Sequence, residues 1–94
     1  MKLYKLDYNY KVIECDVIKE TGKTFVYVLP NEIEGNTVRK VNIDKLTSGS
    51  LYSQVATSKE LLKSILIQKV DDEILTAQKR LNAWKELENK FNNL

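Results

Sequence analysis

The sequence predicts an α+β protein, with an antiparallel β-meander or SH3-like half-barrel followed by one long C-terminal α-helix, either continuous or broken once. Residues 1–56 contain short apolar runs separated by turns with Gly and Asn, which is typical of a meander. From Ser58 to about Asn92 there is neither Pro nor Gly, and apolar residues recur at helical spacing. We expect residues 1–94 to form a single domain, with a β-rich body at 1–56 and a helix at 57–94.

The body contains four or five candidate strands. Alternation places Ile13, Cys15 and Val17 on one face of the second strand, where Cys15 is expected to be a small, inert, buried side chain. The third strand has the richest β-branched and aromatic composition. The predicted strands are Lys2 to Leu6, Lys11 to Glu20, Thr24 to Leu29, Val38 to Leu46 and, with a weaker pattern, Leu51 to Ala56.

A tight hairpin turn is predicted between the second and third strands, at Thr21-Gly22-Lys23-Thr24. Gly22 suits the positive-φ position of such a turn. The same residues resemble the end of a phosphate-binding P-loop, but that motif needs another glycine five residues earlier, where this chain has Val17. The turn also opens a strand rather than a helix, so the hairpin interpretation is preferred.

The C-terminal helix is predicted to start at a capping box formed by Thr57 and Glu60. Its first half is rich in apolar residues and is expected to be buried against the open side of the sheet. Asp71-Asp72 is the place where the helix could break, although the apolar pattern passes through without a change of phase and favours one continuous helix. The apolar residues of the first half are Leu61, Leu62, Ile65, Leu66, Ile67 and Val70.

The second half of the helix carries a narrow apolar stripe with alternating spacings of four and three residues, as in a coiled coil. Lys63 and Glu88 interrupt the pattern on either side, so a short helical dimer contact is expected rather than a long parallel coiled coil. Trp84 either closes the intramolecular core or anchors an interface. The predicted oligomer interface consists of Val70, Ile74, Ala77, Leu81, Trp84 and Phe91.

The composition excludes several classes of enzyme. The chain has no His and one Cys, which removes imidazole catalysis, Ser or Cys triads and tetrahedral zinc sites. Acid catalysis by Glu14 or Asp16 would need a second carboxylate across a pocket that the sequence does not predict. We therefore expect a protein that is not an enzyme and uses no cofactor or metal.

Charge and cysteine content indicate where the protein acts. The net charge of +2 is evenly distributed, so generic attraction to nucleic acid is not indicated. Since there is one Cys, no apolar leader and no long uncharged apolar stretch, we expect a cytoplasmic protein with no membrane association. Aromatic and basic residues on the sheet are the basis of the alternative, a nucleic-acid or nucleotide-binding surface made of Tyr4, Tyr8, Tyr27, Arg39 and Lys40.

The excess of 13 Lys over 2 Arg, with 8 Asn and 7 Ile, is typical of an AT-rich genome. The segments Lys11 to Leu29, Val38 to Leu46 and Thr57 to Val70 resemble small uncharacterised proteins of bacteriophages and prophages from low-GC Gram-positive hosts. The resemblance implies a phage origin and carries no catalytic signature. The resulting hypothesis is a non-enzymatic phage accessory protein that acts in the host cytoplasm by protein–protein interaction. It would form a homodimer and bind a host protein target, such as a component of an antiviral defence system.

Overall fold

The computed structural model describes all 94 residues and confirms the predicted α+β class. Four antiparallel strands pair in chain order and form a curled half-barrel, and one long helix follows them. The elements are β1 (Lys2–Leu6), β2 (Val12–Glu20), β3 (Thr24–Val28), β4 (Asn36–Arg39) and α1 (Lys59–Asn92).

Side-chain oxygens organise the first two turns of the sheet. The Asp7 carboxylate accepts hydrogen bonds from the backbone N–H groups of Asn9 and Lys11, at 2.8 and 2.9 Å. The Thr21 hydroxyl accepts a bond from the N–H of Thr24 at 3.0 Å. The hairpin is therefore as predicted, but the role given to Gly22 is wrong because no glycine has positive φ. The threonine hydroxyl closes this turn instead.

A β-bulge and an early end of β4 give the sheet its curl. Val17 pairs with Tyr27 and Lys19 with Val26, so Ile18 is the extra residue of a bulge, which increases local twist. The predicted strand from Val38 to Leu46 is too long, since a 3-10 turn at Lys40–Asn42 follows β4. The chain has to bend there because Ile43 pairs with Val55 on the far side of the body.

The segment at Val55 and Ala56 closes the half-barrel instead of forming a full fifth strand. A 3-10 turn at Leu51–Ser53 precedes it, and Ala56 then exchanges two backbone hydrogen bonds with Tyr4, of 2.8 and 3.0 Å. The free edge of β1 is covered in this way. The core behind it contains Leu3, Cys15, Phe25, Tyr27 and Val55, and Cys15 is buried as predicted.

The N-cap of α1 lies one residue later than predicted. The Ser58 hydroxyl accepts a hydrogen bond from the N–H of Leu61 at 3.1 Å, so Ser58 is the N-cap. Thr57 is engaged elsewhere, because its N–H and hydroxyl both donate to the Asp44 carboxylate, at 2.6 and 2.7 Å. The capping box of Thr57 and Glu60 is therefore wrong.

Only the first turns of α1 pack on the body. Leu62 and Ile65 are buried with Ala56, and Leu66 is half-buried beside them. The predicted burial of the whole first half is wrong, since Leu61, Ile67 and Val70 are 43%, 51% and 42% exposed. Of the four strands, the helix contacts mainly β1.

Beyond its first turns, α1 projects away from the body. The helix is continuous through Asp71 and Asp72 and has 34 residues, which corresponds to about 51 Å. Its last polar contact with the body joins the Lys69 ammonium to the Thr47 carbonyl at 3.5 Å, and every residue from 70 to 94 is exposed. The radius of gyration is 18.5 Å, against about 12 Å for a compact chain of this length.

Candidate interaction site

The most prominent surface of the molecule is the apolar stripe on the projecting part of α1. We call this stripe the seam and define it as Val70, Ile74, Ala77, Leu81, Trp84 and Phe91. All six side chains are on the exposed part of the helix, with Trp84 and Phe91 exposed to 69% and 66%. Trp84 therefore does not close the intramolecular core, which was one of the two roles considered for it.

The structure extends the seam by one position that the sequence assigned to the buried half. Ile67 lies three residues before Val70 and is about half exposed, so it continues the same spacing. With Leu66, Val70 and Asp71 it lines a shallow groove of about 320 Å³. This groove lies at the end of the seam nearest the body and is large enough to receive an apolar side chain.

The seam lies between two charged edges of the same helix. Asp71, Gln78 and Lys85 recur every seven residues along one edge, and Glu73 and Arg80 follow the other edge. No salt bridge within the chain involves any of these charged groups. They are available to a second helix packed on the seam.

The five residues of the alternative nucleic-acid site do not form one surface. Tyr27 is 7% exposed and belongs to the core cluster with Leu3. Tyr4 follows Leu3 in β1 and so lies on the opposite face of the sheet, where its hydroxyl donates to the Glu14 carboxylate at 2.9 Å. Tyr8 is in the β1–β2 loop and 83% exposed.

The two cations of that alternative site also have different surroundings. Lys40 lies 3.6 Å from the Glu20 carboxylate and its ammonium is 4.9 Å from the centre of the Phe25 ring. Arg39 is exposed at the end of β4 and has no ion-pair partner. Of the five residues, only Tyr8 and Arg39 present a free surface group.

Sequence reasoning missed a cluster of three tyrosines at the end of the half-barrel. The rings of Tyr8 and Tyr52 are 4.8 Å apart and those of Tyr10 and Tyr52 are 6.2 Å apart. The Tyr10 hydroxyl raises the pKa of Tyr52 above its ordinary value, and partial burial adds to the effect. Tyr52 comes from a loop more than forty residues away, so no local pattern could have linked it to Tyr8.

Tyr8 also lies at the edge of a half-open cleft of about 320 Å³, which Lys5, Leu6, Pro30 and Glu32 help to form. The rim of the cleft carries the Lys5 ammonium and the carboxylates of Asp7 and Glu32. No two of the lining side chains are hydrogen-bonded to each other. The cleft therefore shows no pair of side chains arranged for acid–base chemistry.

The other side chains considered for chemistry, Cys15, Glu14 and Asp16, are buried or paired within the fold. Burial raises the pKa of the Cys15 thiol, and the side chain is 1% exposed, so the reactive thiolate is disfavoured. Glu14 and Asp16 both pair with Lys2 on the outer face of the sheet. No three of the His, Cys, Asp or Glu side chains are grouped so that they could hold a metal ion. No helix has the length and apolar character needed to span a membrane.

Similarity to other proteins adds nothing to this geometry. Neither protein-family models, nor curated proteins, nor solved structures match the chain. A function therefore has to be argued from the seam and from the surfaces around it.

Proposed function

We propose that this chain is a non-enzymatic interaction protein that binds through the seam of α1, in the first place to a second copy of itself. The observation that carries the proposal is the exposure of the whole seam on a helix that continues far beyond the body. Large exposed apolar patches on small proteins typically mark interaction surfaces. Trp is moreover over-represented among residues that dominate binding energy.

The energetics favour occupation of the seam by another protein surface. A fully buried Val, Leu or Ile contributes about 1.5–3 kcal/mol, so each of the half-exposed seam residues would gain about 1 kcal/mol on complete burial. The body does not stabilise the second half of the helix, because the contacts between helix and body end at Leu66 and Lys69. Most helices in proteins depend on such packing for their stability, and a partner would supply it.

The narrower form of the proposal is a phage accessory protein that binds a host protein in the host cytoplasm, such as a component of an antiviral defence system. The resemblance of the strand and helix segments to small phage proteins supports this form. A host partner would be sought by co-purification from host lysate, with Trp84→Asp as the control bait. Loss of the partner with that bait would show that its binding requires the seam, either directly or through the dimer that the seam forms.

The self-association is tested by native mass spectrometry and by sedimentation of the purified full chain. We expect a dimer, and we expect Trp84→Asp to be monomeric because a charge at the centre of the seam would be desolvated in the interface. Circular dichroism should show that the sheet is retained, since Trp84 is remote from it. Leu75→Asp is the matched control, because Leu75 is 52% exposed on the opposite side of α1 and should leave the dimer intact.

Two results would contradict this proposal. One is a wild-type chain that stays monomeric at all accessible concentrations. The other is a dimer that survives Trp84→Asp as well as it survives Leu75→Asp, since the seam would then not be the interface.

Nucleic-acid or nucleotide binding is the second candidate, and the observation that favours it is the exposed ring of Tyr8, which lies tilted against the half-buried Tyr52. Exposed aromatic rings can stack on bases without sequence preference. The same native mass spectrum separates the two candidates, because a bound nucleotide or oligonucleotide would appear as excess mass. Binding that does not weaken with salt would count against contacts to the phosphate backbone.

A further inference from the structure

We infer that the two helices of the dimer pack antiparallel, with Ile67 of each copy facing Phe91 of the other. This inference rests on the proposed self-association through the seam and specifies its geometry. It has three supports: the charges beside the seam, the position of Glu88, and the groove at the end of the seam nearest the body.

The charges beside the seam disfavour a parallel pair. In a parallel arrangement equal residue numbers face each other, so Glu88 would meet Glu88 of the second copy at a core position. The edge residues would also be mismatched, because Arg80 of one helix would lie beside Lys85 of the other. Both contacts join like charges, and neither is offset by an opposite pair, since Glu73 would face the neutral Gln78.

The antiparallel arrangement separates Glu88 from Glu88 and Arg80 from Lys85 of the second copy. When Ala77 faces Leu81 of the second copy, the symmetry axis passes close to Lys79. Asp71 then lies beside Lys85 of the other helix, and the symmetry repeats this pair, so one edge gains two pairs of opposite charge. On the other edge Arg80 approaches Arg80 of the second copy beside the axis, which is the one contact between like charges in this register. Each Glu88 faces Val70 of the other copy rather than a second carboxylate.

The same register fills the groove at the body end of the seam. Phe91 and Ile67 are separated by about 36 Å along the helix, so in an antiparallel pair each Phe91 reaches the other copy's groove of Leu66, Ile67 and Val70. The groove has a volume of about 320 Å³ and is open to solvent in the single chain. Ile74 faces Trp84 in the next layer.

The apolar area is adequate for a stable pair. At 66% and 69% exposed, Phe91 and Trp84 would together bury about 270 Å² per copy. Over two copies this is about 540 Å², nearly half of the roughly 1,200 Å² at which specific interfaces begin. Val70, Ile74, Leu81 and Ile67 have to supply the remainder, and all four are at least 42% exposed.

Disulfide cross-linking at Ile67→Cys and Phe91→Cys tests the orientation. Both positions are exposed, so neither change disturbs the core, and the buried Cys15 of the wild-type chain serves as the background control. One variant carries a small affinity tag so that mixed dimers can be recognised by mass. The two variants are mixed, allowed to exchange and oxidised with a mild disulfide reagent, and each is also oxidised alone.

We expect the mixture to form a covalent dimer of one tagged and one untagged chain, while each variant alone stays non-covalent. Covalent dimers of either variant alone, without mixed dimers, would show a parallel pair and overturn the orientation. Leu75→Cys, on the opposite face, should give no cross-link. Its yield of covalent dimer measures how much disulfide forms by random collision. A chain that sediments as a monomer throughout would instead contradict the self-association itself, so the two failures are distinguishable.

Discussion

At the scale of single residues, Gln54 organises the loop that precedes the helix. It is completely buried, and its amide nitrogen donates to the Ser50 carbonyl at 3.0 Å. Its amide oxygen accepts bonds from both the N–H and the hydroxyl of Thr47, at 3.0 and 3.1 Å. A buried polar side chain is stable only when it is bonded in this way. The Gln54 amide thus holds the loop 47–53 together, and Lys69 of the helix also contacts this loop at the Thr47 carbonyl.

Replacement of Gln54 by Leu should lower the free energy of unfolding by about 2–3 kcal/mol, because the half-buried Thr47 N–H and hydroxyl would lose their acceptor and the Ser50 carbonyl would lose one of its donors. Urea unfolding followed by circular dichroism measures the change. Ser53→Ala is the control, since the Ser53 hydroxyl makes one exposed bond to the Ser50 carbonyl and its loss should have a small effect. Equal effects of the two changes would contradict the role assigned to Gln54.

The sequence predicts some residue positions and misses others for a clear reason. The sequence predicts the burial of Cys15, because strand alternation is local information. Tyr27 and Tyr8 could not be told apart as buried and exposed, since that difference depends on which face of the curled sheet is closed by Val55. Gln54 gave no signal, because its partners lie in an irregular loop.

At the scale of elements, the start of α1 shows how a neighbouring loop changes a local motif. Thr57 has the residue type of a cap, but Asp44, at φ 62°, directs its carboxylate to both the Thr57 N–H and the hydroxyl. Ser58 therefore serves as the N-cap of the helix instead. The length of α1 and the bounds of the first three strands follow from local pattern, whereas the early end of β4 depends on the distant Val55.

Ser58→Ala should destabilise the protein by about 1 kcal/mol, which is typical for the loss of an N-cap. Thermal or urea unfolding at fixed protein concentration would measure it. Glu60→Ala is the discriminating control, because the capping box would require Glu60, whereas in the structure Glu60 makes no hydrogen bond or ion pair and should matter little. A larger loss of stability for Glu60→Ala than for Ser58→Ala would instead support the capping box of Thr57 and Glu60.

At the scale of the whole molecule, the spacing of the seam could be predicted but its exposure could not. The apolar first half of α1 suggested broad burial, yet the sheet offers a small surface, and Ile67 consequently belongs with the seam. How much of a helix a body can cover depends on the tertiary arrangement of the sheet. The sequence pattern of the helix contains no information on that limit.

Alkaline pH should weaken the fold as a whole. Burial raises the pKa of Cys15 and Tyr27 above the ordinary values of 9.0 and 10.0, so the folded state holds these protons more tightly than the unfolded chain. The stabilisation is complete about one pH unit below the ordinary thiol pKa and is lost as the pH rises through the folded-state pKa values. The loss is at most about 1.4 kcal/mol per pH unit for each group.

Urea midpoints measured between pH 7 and 11 would test this dependence. We expect a plateau up to about pH 8, below the ordinary thiol pKa, and a decline above it. Cys15→Ala should reduce the steepness of the first part of the decline. A stability that rises with pH over this range would contradict the assigned protonation.

The narrow attachment of α1 makes the helix a lever. Two buried side chains, Leu62 and Ile65, form its fulcrum, and Phe91 lies about 39 Å further along the axis. A tilt of about 10° at the fulcrum would carry the tip through about 7 Å on this arm. A small change in packing around Ala56 is therefore amplified at the C-terminal end of the helix. A partner bound at that end would in turn set the orientation of the body.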